Sequence, residues 1–150
     1  MGTVSDILSA QQGPYQWGTR DCLTTAQALI EGQLGPGRGP DYSDWHAMSE
    51  GRAIVVAAKR YGSYGAAHVA VFGALDGMDM LPGEAPLEPG DIVWLTGEVD
   101  AAGEQWDLER VGGVLGFVGE SHEVFVFARP GLTPAAGAFC VERIFRCRPR

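Results

Sequence analysis

The sequence is poor in the residues that support nucleic-acid binding and disulfide cross-linking. It has 11 lysines and arginines against 19 aspartates and glutamates, which gives a formal net charge of −8. This excess of acid repels phosphate groups, so we expect no broad binding to nucleic acid or to an anionic membrane. The three cysteines are too few, and odd in number, for a disulfide framework in a chain of this length. We therefore expect free thiols and a reducing compartment.

Long apolar runs are also missing. No stretch approaches the roughly 18 apolar residues that a membrane helix needs. Residues 1–5, "MGTVS", do not begin the basic-then-apolar pattern of a secretory signal. The sequence thus predicts synthesis in the cytoplasm, without a signal peptide and without insertion into a membrane. At 150 residues, 45% hydrophobic and 20% charged, it is typical of one globular domain, residues 1–150.

Helical patterns fill the first half of the chain. Helices are predicted for residues 4–11, 22–31 and 43–62. Residues 65–75 fit either a helix or a strand, and their alanine content favours a helix. In the helix at residues 22–31, Leu23, Ala26 and Ile30 share one face, and Gly32 stands where a C-terminal cap belongs. Asp21 or Thr19 is suited to cap its start. A weak point at Gly51 interrupts the helix at residues 43–62.

Strand patterns follow after residue 82. Short β-branched and aromatic runs, separated by glycine, proline and charges, predict strands near residues 91–95, 112–118, 123–128 and 139–145. Helices first and strands afterwards predict an α+β domain with helices packed on one side of an antiparallel sheet. Residues 32–42 and the acidic residues 97–109 are predicted to be exposed loops, the second a solvated hairpin.

One cysteine stands out by its position. Cys22 ends the segment "PYQWGTRDC" and begins the helix at residues 22–31. The unpaired N–H groups and partial positive charge at a helix N-terminus favour thiolate over thiol. A cysteine peptidase or amidase needs such a thiolate, a histidine to move the proton and a third polar group to orient the histidine. The alternative is that Cys22 is a small apolar filler, as free cysteines often are.

Three motifs in chain order carry a family resemblance. "PYQWGTRDC" is followed by a helix, then by "PGDIVWL", then by "GGVLGFVG". This order resembles the NlpC-type branch of papain-like cell-wall cysteine peptidases, and more closely its degenerate phage-encoded relatives. In the active family an Asp-Cys pair opens the first core helix and a Gly-Asp pair starts the first strand, features matched here by Asp21-Cys22 and Gly90-Asp91. The resemblance implies a papain-like, NlpC-type α+β domain, with N-terminal helices packed on a small antiparallel β-sheet.

The family's histidine is missing from its expected place. It begins the second strand, where this sequence has Val114 or Gly113, and the third polar residue would fall near Val126 and Phe127. The resemblance thus implies that Cys22 is either a vestige or a nucleophile with an unconventional base. His122, just before the next predicted strand, is the candidate replacement base if it lies near the sheet edge within reach of Cys22. Because the family's histidine is missing, we expect no imidazole within hydrogen-bond distance of the Cys22 sulfur.

The remaining candidates have structural explanations. His68 lies in an apolar run, as a core histidine does, and His46 beside Trp45 is expected to face solvent. Cys140 and Cys147 do not have the close spacing of a zinc site, so no metal or other cofactor is expected. Asp91 is expected to cap backbone N–H groups of a turn.

The resemblance implies a role in a phage particle. It indicates a tail component, at the tail tip or in tail assembly, whose degenerate peptidase scaffold has a structural or docking function. Its partners would be other tail proteins, contacted through residues 32–42, residues 97–109 and the arginines of the C-terminal "RCRPR". The alternative is an active peptidoglycan endopeptidase with Cys22 as nucleophile. A cytoplasmic amidase or acyl-transfer enzyme depends on the same cysteine.

Overall fold

The computed structural model describes residues 3–149, which form six helices and seven strands. The helices are α1 (Val4–Ala10), α2 (Cys22–Leu34), α3 (Ser43–His46), α4 (Glu50–Tyr61), α5 (Tyr64–Gly73) and α6 (Leu108–Val111). The strands are β1 (Met78–Pro82), β2 (Ile92–Ala101), β3 (Glu104–Asp107), β4 (Val114–Val118), β5 (Val124–Ala128), β6 (Gly131–Pro134) and β7 (Phe139–Cys147). Five of the six helices precede all strands, as the sequence pattern predicted.

The strands form one antiparallel sheet. Its order is β1-β7-β2-β4-β5-β6, and β3 pairs with the second half of β2. The register between β2 and β7 shifts between Trp94 and Leu95, an irregularity of the kind that bends a strand. Beyond it, Asp100 exchanges two backbone hydrogen bonds, of 2.8 and 2.9 Å, with Ala136, which follows β6. The sheet therefore curls back onto β2, and the predicted α+β class with helices on an antiparallel sheet is confirmed.

Both faces of the first half of β2 are buried, each in its own apolar cluster. Because side chains alternate along a strand, Ile92 and Trp94 pack towards the helices, and Val93 and Leu95 pack into the curl of the sheet. The helical side receives residues from α2 and α5: Leu23, Ala26, Leu29, Ile30 and Phe72. These contacts hold the start of α2 against the sheet.

Helix α2 is longer than the sequence predicted. It continues through Gly32 to Leu34 and ends at Gly35, whose φ is 117°. Gly32 is a packing residue, because a Cβ there would lie 2.4 Å from Ile7 Cδ1. Its missing side chain lets α1 approach α2. The following loop is exposed around residues 36–38, but Pro40 and Tyr42 are buried.

The predicted helical region 43–62 is divided into α3 and α4. The break lies at Ser49, which has extended backbone (φ −64°, ψ 158°) and caps α4 by accepting a hydrogen bond of 3.4 Å from Arg52 N. Gly51, the expected weak point, lies inside the first turn of α4. Because of this break, Glu50 is the first residue of a helix and does not lie in the middle of a longer one.

The acidic segment 97–109 is not the solvated loop that the sequence predicted. It contains the second half of β2, all of β3 and the start of α6. Its apolar residues Val99, Ala101 and Leu108 are buried in the second cluster, and Glu98 and Asp100 point to solvent. Alternation of acidic and apolar residues is typical of a strand with one buried face, so the high acid content obscured a strand pattern.

The C-terminal arginines bind within the chain. Arg146 is buried in an ion pair with Asp91, and Arg148 pairs with Asp79 at 2.8 Å. Asp91 also accepts a hydrogen bond of 2.8 Å from Glu88 N, so it caps a turn as predicted. Each of these two guanidinium groups already holds a carboxylate within the chain, and Arg150, the third arginine of the predicted docking segment, lies outside the described residues.

None of the helices in the described part of the chain is long and apolar enough to cross a membrane.

Candidate functional site

Cys22 occupies the first position of α2, directly after a fully buried cap. Asp21 Oδ1 accepts a hydrogen bond of 2.8 Å from Thr24 N, and Asp21 Oδ2 accepts one of 2.7 Å from Gly18 N. The Thr24 hydroxyl accepts from Asp21 N in return, at 2.8 Å, which completes a capping box. These bonds fix the backbone of Cys22 at the start of the helix.

His46 completes the surroundings of Asp21. Its Nε2 lies 3.0 Å from Asp21 Oδ2, and its side chain is 17% exposed. The edge of the His46 ring contacts Trp17, with the ring centroids 4.9 Å apart. The expectation that His46 faces solvent is therefore wrong. The packing of α3 beside the start of α2 brings together two residues 25 positions apart.

Cys22 is half-buried on the floor of a cleft made of two adjoining cavities. The larger has a volume of about 590 Å³ and the smaller about 330 Å³. Both are lined by Cys22, Glu50, Trp106 and Val114. The larger cavity continues over Ile54, Tyr64, Leu108 and Leu115, and the smaller over Tyr15, Phe127 and Arg129. Apolar and aromatic side chains dominate the cleft, as in many ligand sites.

The thiol of Cys22 is not activated by its surroundings. Burial raises the pKa of Cys22 well above its usual range, and the nearby carboxylates of Asp21 and Glu50 raise it further. Hydrogen bonds from the backbone N–H groups of Cys22 and Leu23 oppose this, but their effect on the pKa is smaller. The helix N-terminus therefore does not produce a thiolate at neutral pH, because two acids and a low-dielectric site outweigh it.

Glu50 and Tyr15 form the polar wall beside the thiol. The Tyr15 hydroxyl donates a hydrogen bond to Glu50 Oε2. Burial, followed by the influence of Cys22 and the bond to Glu50, raises the pKa of Tyr15. Tyr15 therefore stays a neutral donor, and Glu50 stays occupied as an acceptor.

Residues of β4 and β5, where the sequence resemblance expects a histidine and a third polar group, meet Cys22 in the cleft. Val114, the first residue of β4, and Phe127 on β5 both line the smaller cavity together with Cys22. Val126 faces the opposite side of the sheet, in the second apolar cluster. Three segments that are far apart in the sequence thus converge, and the segments from β4 and β5 contribute apolar side chains.

His122 lies away from this cleft. It is exposed in the turn between β4 and β5, with φ at 67°. Val114 is at the opposite end of β4, and the four residue steps to Val118 span about 13 Å. His122 is therefore not placed to act as a base for Cys22. Within residues 3–149 no hydrogen bond joins the Cys22 sulfur to an imidazole.

His68 is a core residue, as the sequence indicated, but an unusual one. It is fully buried, and neither ring nitrogen has a hydrogen-bond partner in the described chain. Four aromatic rings surround it: Trp45, Tyr64, Phe72 and Trp94. Burial lowers the pKa of His68 to about 3, so the imidazole is neutral at physiological pH.

Sequence reasoning missed several residues of the cleft. Glu50, Ile54 and Trp106 belong to no recognisable sequence motif. Tyr15 could be recognised as an aromatic neighbour of the cysteine. The cap at Ser49 was the one local signal that could have placed Glu50 at a helix start.

In the described residues no three His, Cys, Asp or Glu side chains converge as metal ligands. No protein-family model, curated protein or solved structure matches the chain.

Proposed function

We propose that this chain is a non-catalytic binding module that retains the cleft of an NlpC-type, papain-like peptidase. One observation carries the proposal. Cys22 begins the first core helix, and the two positions that face it across the smaller cavity hold Val114 and Phe127. In the family that the sequence resembles, those strand positions supply the histidine and its polar partner. In this proposal the cleft is retained, and apolar side chains replace the groups that transfer protons.

The electrostatics of the site support the same conclusion. Acyl transfer requires a thiolate to attack and a general acid to protonate the leaving amine. Here the pKa of Cys22 is raised by burial and by the two carboxylates. Glu50 is engaged by Tyr15. The site therefore favours binding over acyl transfer.

The resemblance supplies the biological setting. We propose a phage or phage-like tail component, at the tail tip or in tail assembly, in which the module docks other tail proteins. Mass spectrometry of density-purified particles tests this setting. The chain is expected at a fixed ratio to the other tail proteins, and particles free of it would contradict the proposal.

An active peptidoglycan endopeptidase is the competing function, and the partial exposure of Cys22 in the cleft favours it. Incubation of purified protein with peptidoglycan separates the two. The binding module is expected to release no peptides above the level of a Cys22→Ser variant. Release that requires Cys22 would establish the enzyme.

The substitution Val114→His tests whether Val114 occupies the position of the histidine in the family that the sequence resembles. If Val114 stands where the histidine belongs, an imidazole there will lie beside Cys22 and stabilise the thiolate. Alkylation of Cys22 by iodoacetamide is then expected to accelerate at least about tenfold at neutral pH, the effect of one unit of pKa. Val114→Leu is the matched control. Both are made in a Cys140→Ser background, because Cys140 is exposed. Equal rates in the two variants would contradict the proposed correspondence.

A further inference from the structure

We propose that the exposed face of α4 binds the tip of the β2–β3 hairpin of a second copy of this chain. The contact joins two different surfaces, so it is head-to-tail, and each dimer keeps one free copy of both surfaces. The proposal is independent of the function proposed for the cleft at Cys22. It depends on complementary patterns of charge and apolar groups on the two surfaces.

The outer face of α4 is both basic and apolar. It consists of Arg52, Val55, Val56, Lys59 and Arg60, which are spaced at i, i+3, i+4, i+7 and i+8 and are all exposed. Val55 and Val56 are 54% and 38% exposed, and they are two of the three exposed large hydrophobic residues in the described part of the chain. The face therefore has an apolar centre with cations at both ends.

The cations of this face have no acidic partner in their own chain. Within residues 3–149 Arg52, Lys59 and Arg60 form no ion pair. Three such cations on one helix face are a local exception in a chain of net charge −8. The face fits a partner that presents carboxylates beside a small apolar group.

The tip of the β2–β3 hairpin presents such a group. Ala102 and Gly103 form its two-residue turn, with φ angles of 53° and 78°. The first position of this turn is usually asparagine, aspartate or glycine, because left-handed backbone is unfavourable for a residue such as alanine. Ala102 has that backbone and is exposed. An unfavourable backbone at an exposed tip indicates that the methyl group has a function there.

Carboxylates flank this methyl group on both sides. Asp100 and Glu104 lie two residues before and two residues after Ala102, and both are exposed. They point to opposite faces of the hairpin, because Asp100 pairs in register with Gln105 and not with Glu104. Neither carboxylate forms an ion pair in the described residues. The tip thus presents acid, apolar group and acid, where α4 presents base, apolar group and base.

The two patterns also agree in size. Arg52 and Lys59 are seven residues apart, which is about 10 Å along a helix axis. Carboxylates on opposite faces of a sheet are separated by its thickness, also about 10 Å. Both acids of the tip therefore reach a cation while Ala102 contacts Val55 and Val56.

The stem of the hairpin gives an independent reason for a basic partner. Glu98 and Asp107 are directly opposite each other in the register of β2 and β3, and like charges in that arrangement are destabilising. A basic helix against the hairpin reduces this repulsion. The net negative charge of the two copies opposes association, but it is screened beyond about 8 Å at physiological ionic strength, so the local pattern decides.

Sedimentation velocity of the whole protein over rising concentrations, at physiological ionic strength, measures the association. The parent is expected to form dimers and then longer assemblies. Arg52→Glu, and separately Asp100→Asn/Glu104→Gln, should each weaken association at least about tenfold, because the attraction between the surfaces is reversed or lost. Arg143→Glu is the control, because it reverses an exposed arginine of β7 that belongs to neither surface. A parent that stays monomeric would overturn the proposal.

A mixture of the two interface variants tests the head-to-tail geometry. Arg52→Glu keeps an intact hairpin, and Asp100→Asn/Glu104→Gln keeps an intact α4. Their equimolar mixture should form dimers that grow no further, because each dimer has only the two altered surfaces left. A mixture that stays monomeric, or a loss of association in the helix variant alone, would overturn the proposal. So would a monomeric parent that binds phosphatidylserine vesicles through Arg52, since the face of α4 would then belong to a lipid surface.

Ala102→Asn separates the contact from the stability of the fold. Asparagine suits the left-handed turn, so the variant should be at least as stable as the parent in urea and yet associate more weakly. Association equal to that of the parent would contradict the contact at the tip.

Discussion

Asp91 and Arg146, 55 residues apart in the sequence, form a bidentate ion pair in the interior of the protein. Arg146 Nε donates to Asp91 Oδ1 at 2.9 Å, and Arg146 Nη2 donates to Asp91 Oδ2 at 2.8 Å. Arg146 Nη2 also donates to Pro86 O at 2.8 Å. The pair joins the turn before β2 to the last strand.

Removal of one partner of this pair is expected to be strongly destabilising. Arg146→Met leaves the Asp91 carboxylate buried and uncompensated, and should lower the free energy of unfolding by about 3–5 kcal/mol. Arg148→Gln is the control, because its ion pair with Asp79 is exposed and should contribute at most about 1 kcal/mol. Urea unfolding measures both, and similar losses would contradict the structural role of Asp91 and Arg146.

This ion pair also limits how docking by the C-terminus can be tested. Deletion of residues 146–150 would remove Arg146 and the last residue of β7, so failure to enter a particle would reflect unfolding. Arg148→Gln leaves β7 intact and is the cleaner variant.

Acid is expected to destabilise the protein through His68. Its pKa is lowered to about 3 by burial, and in the unfolded chain it is about 6.5. Above about pH 6.5 neither state binds the proton, so stability is at its full value. Between these two pKa values only the unfolded state binds it, so the free energy of unfolding falls by up to roughly 1.4 kcal/mol per pH unit.

Substitution of His68 isolates this effect. His68→Phe removes two unpartnered nitrogens from an aromatic cage and should be at least as stable as the parent at pH 7. Its unfolding free energy should fall less steeply as the pH is lowered towards 3. The exposed His122→Ala serves as the control and should keep the parent slope. Identical slopes in the parent and His68→Phe would show that His68 is not held neutral.

The carboxylate of Glu50 is expected to suppress the reactivity of Cys22. Glu50→Gln retains an acceptor for Tyr15 and removes a charge that raises the pKa of Cys22. Alkylation of Cys22 should become roughly threefold to tenfold faster at neutral pH, because one unit of pKa is a tenfold change in thiolate. Glu84→Gln, which lines neither cavity, should leave the rate unchanged. An unchanged rate in Glu50→Gln would show that the Glu50 carboxylate lies too far from the Cys22 sulfur to raise the pKa of the thiol.

Gly113 is expected to tolerate no side chain. Its φ is 121°, and a Cβ would lie 2.5 Å from Trp94 Cε2 and 2.7 Å from Leu95 O. Gly112 has a φ of 87° but nothing within 4 Å of its Cβ position. Gly112→Ala should therefore cost about 1 kcal/mol for left-handed backbone, and Gly113→Ala about 1–3 kcal/mol more for overpacking. Thermal unfolding compares the two, and equal losses would argue against contact with Trp94.

Local patterns alone were sufficient for much of the secondary structure. The start of α2 follows from Asp21 and Thr24, since both members of the capping box lie within three residues of each other. The strands at residues 91–95, 123–128 and 139–145 follow from β-branched and aromatic runs. The short strands β1 and β6 were missed, because they are edge strands with mixed burial and depend on pairing with β7 and β5.

The sequence by itself determined that Cys22 begins a helix and that short β-branched and aromatic runs follow the helices as strands. Only the tertiary structure decided that Glu50 and Tyr15 lie beside the thiol, that His46 binds Asp21 and that His122 lies elsewhere. Caps and periodicity are local, so a single sequence reveals them. The pKa of a thiol depends on burial and on charges within a few ångströms, which the packing of α4 and β4 around α2 brings about.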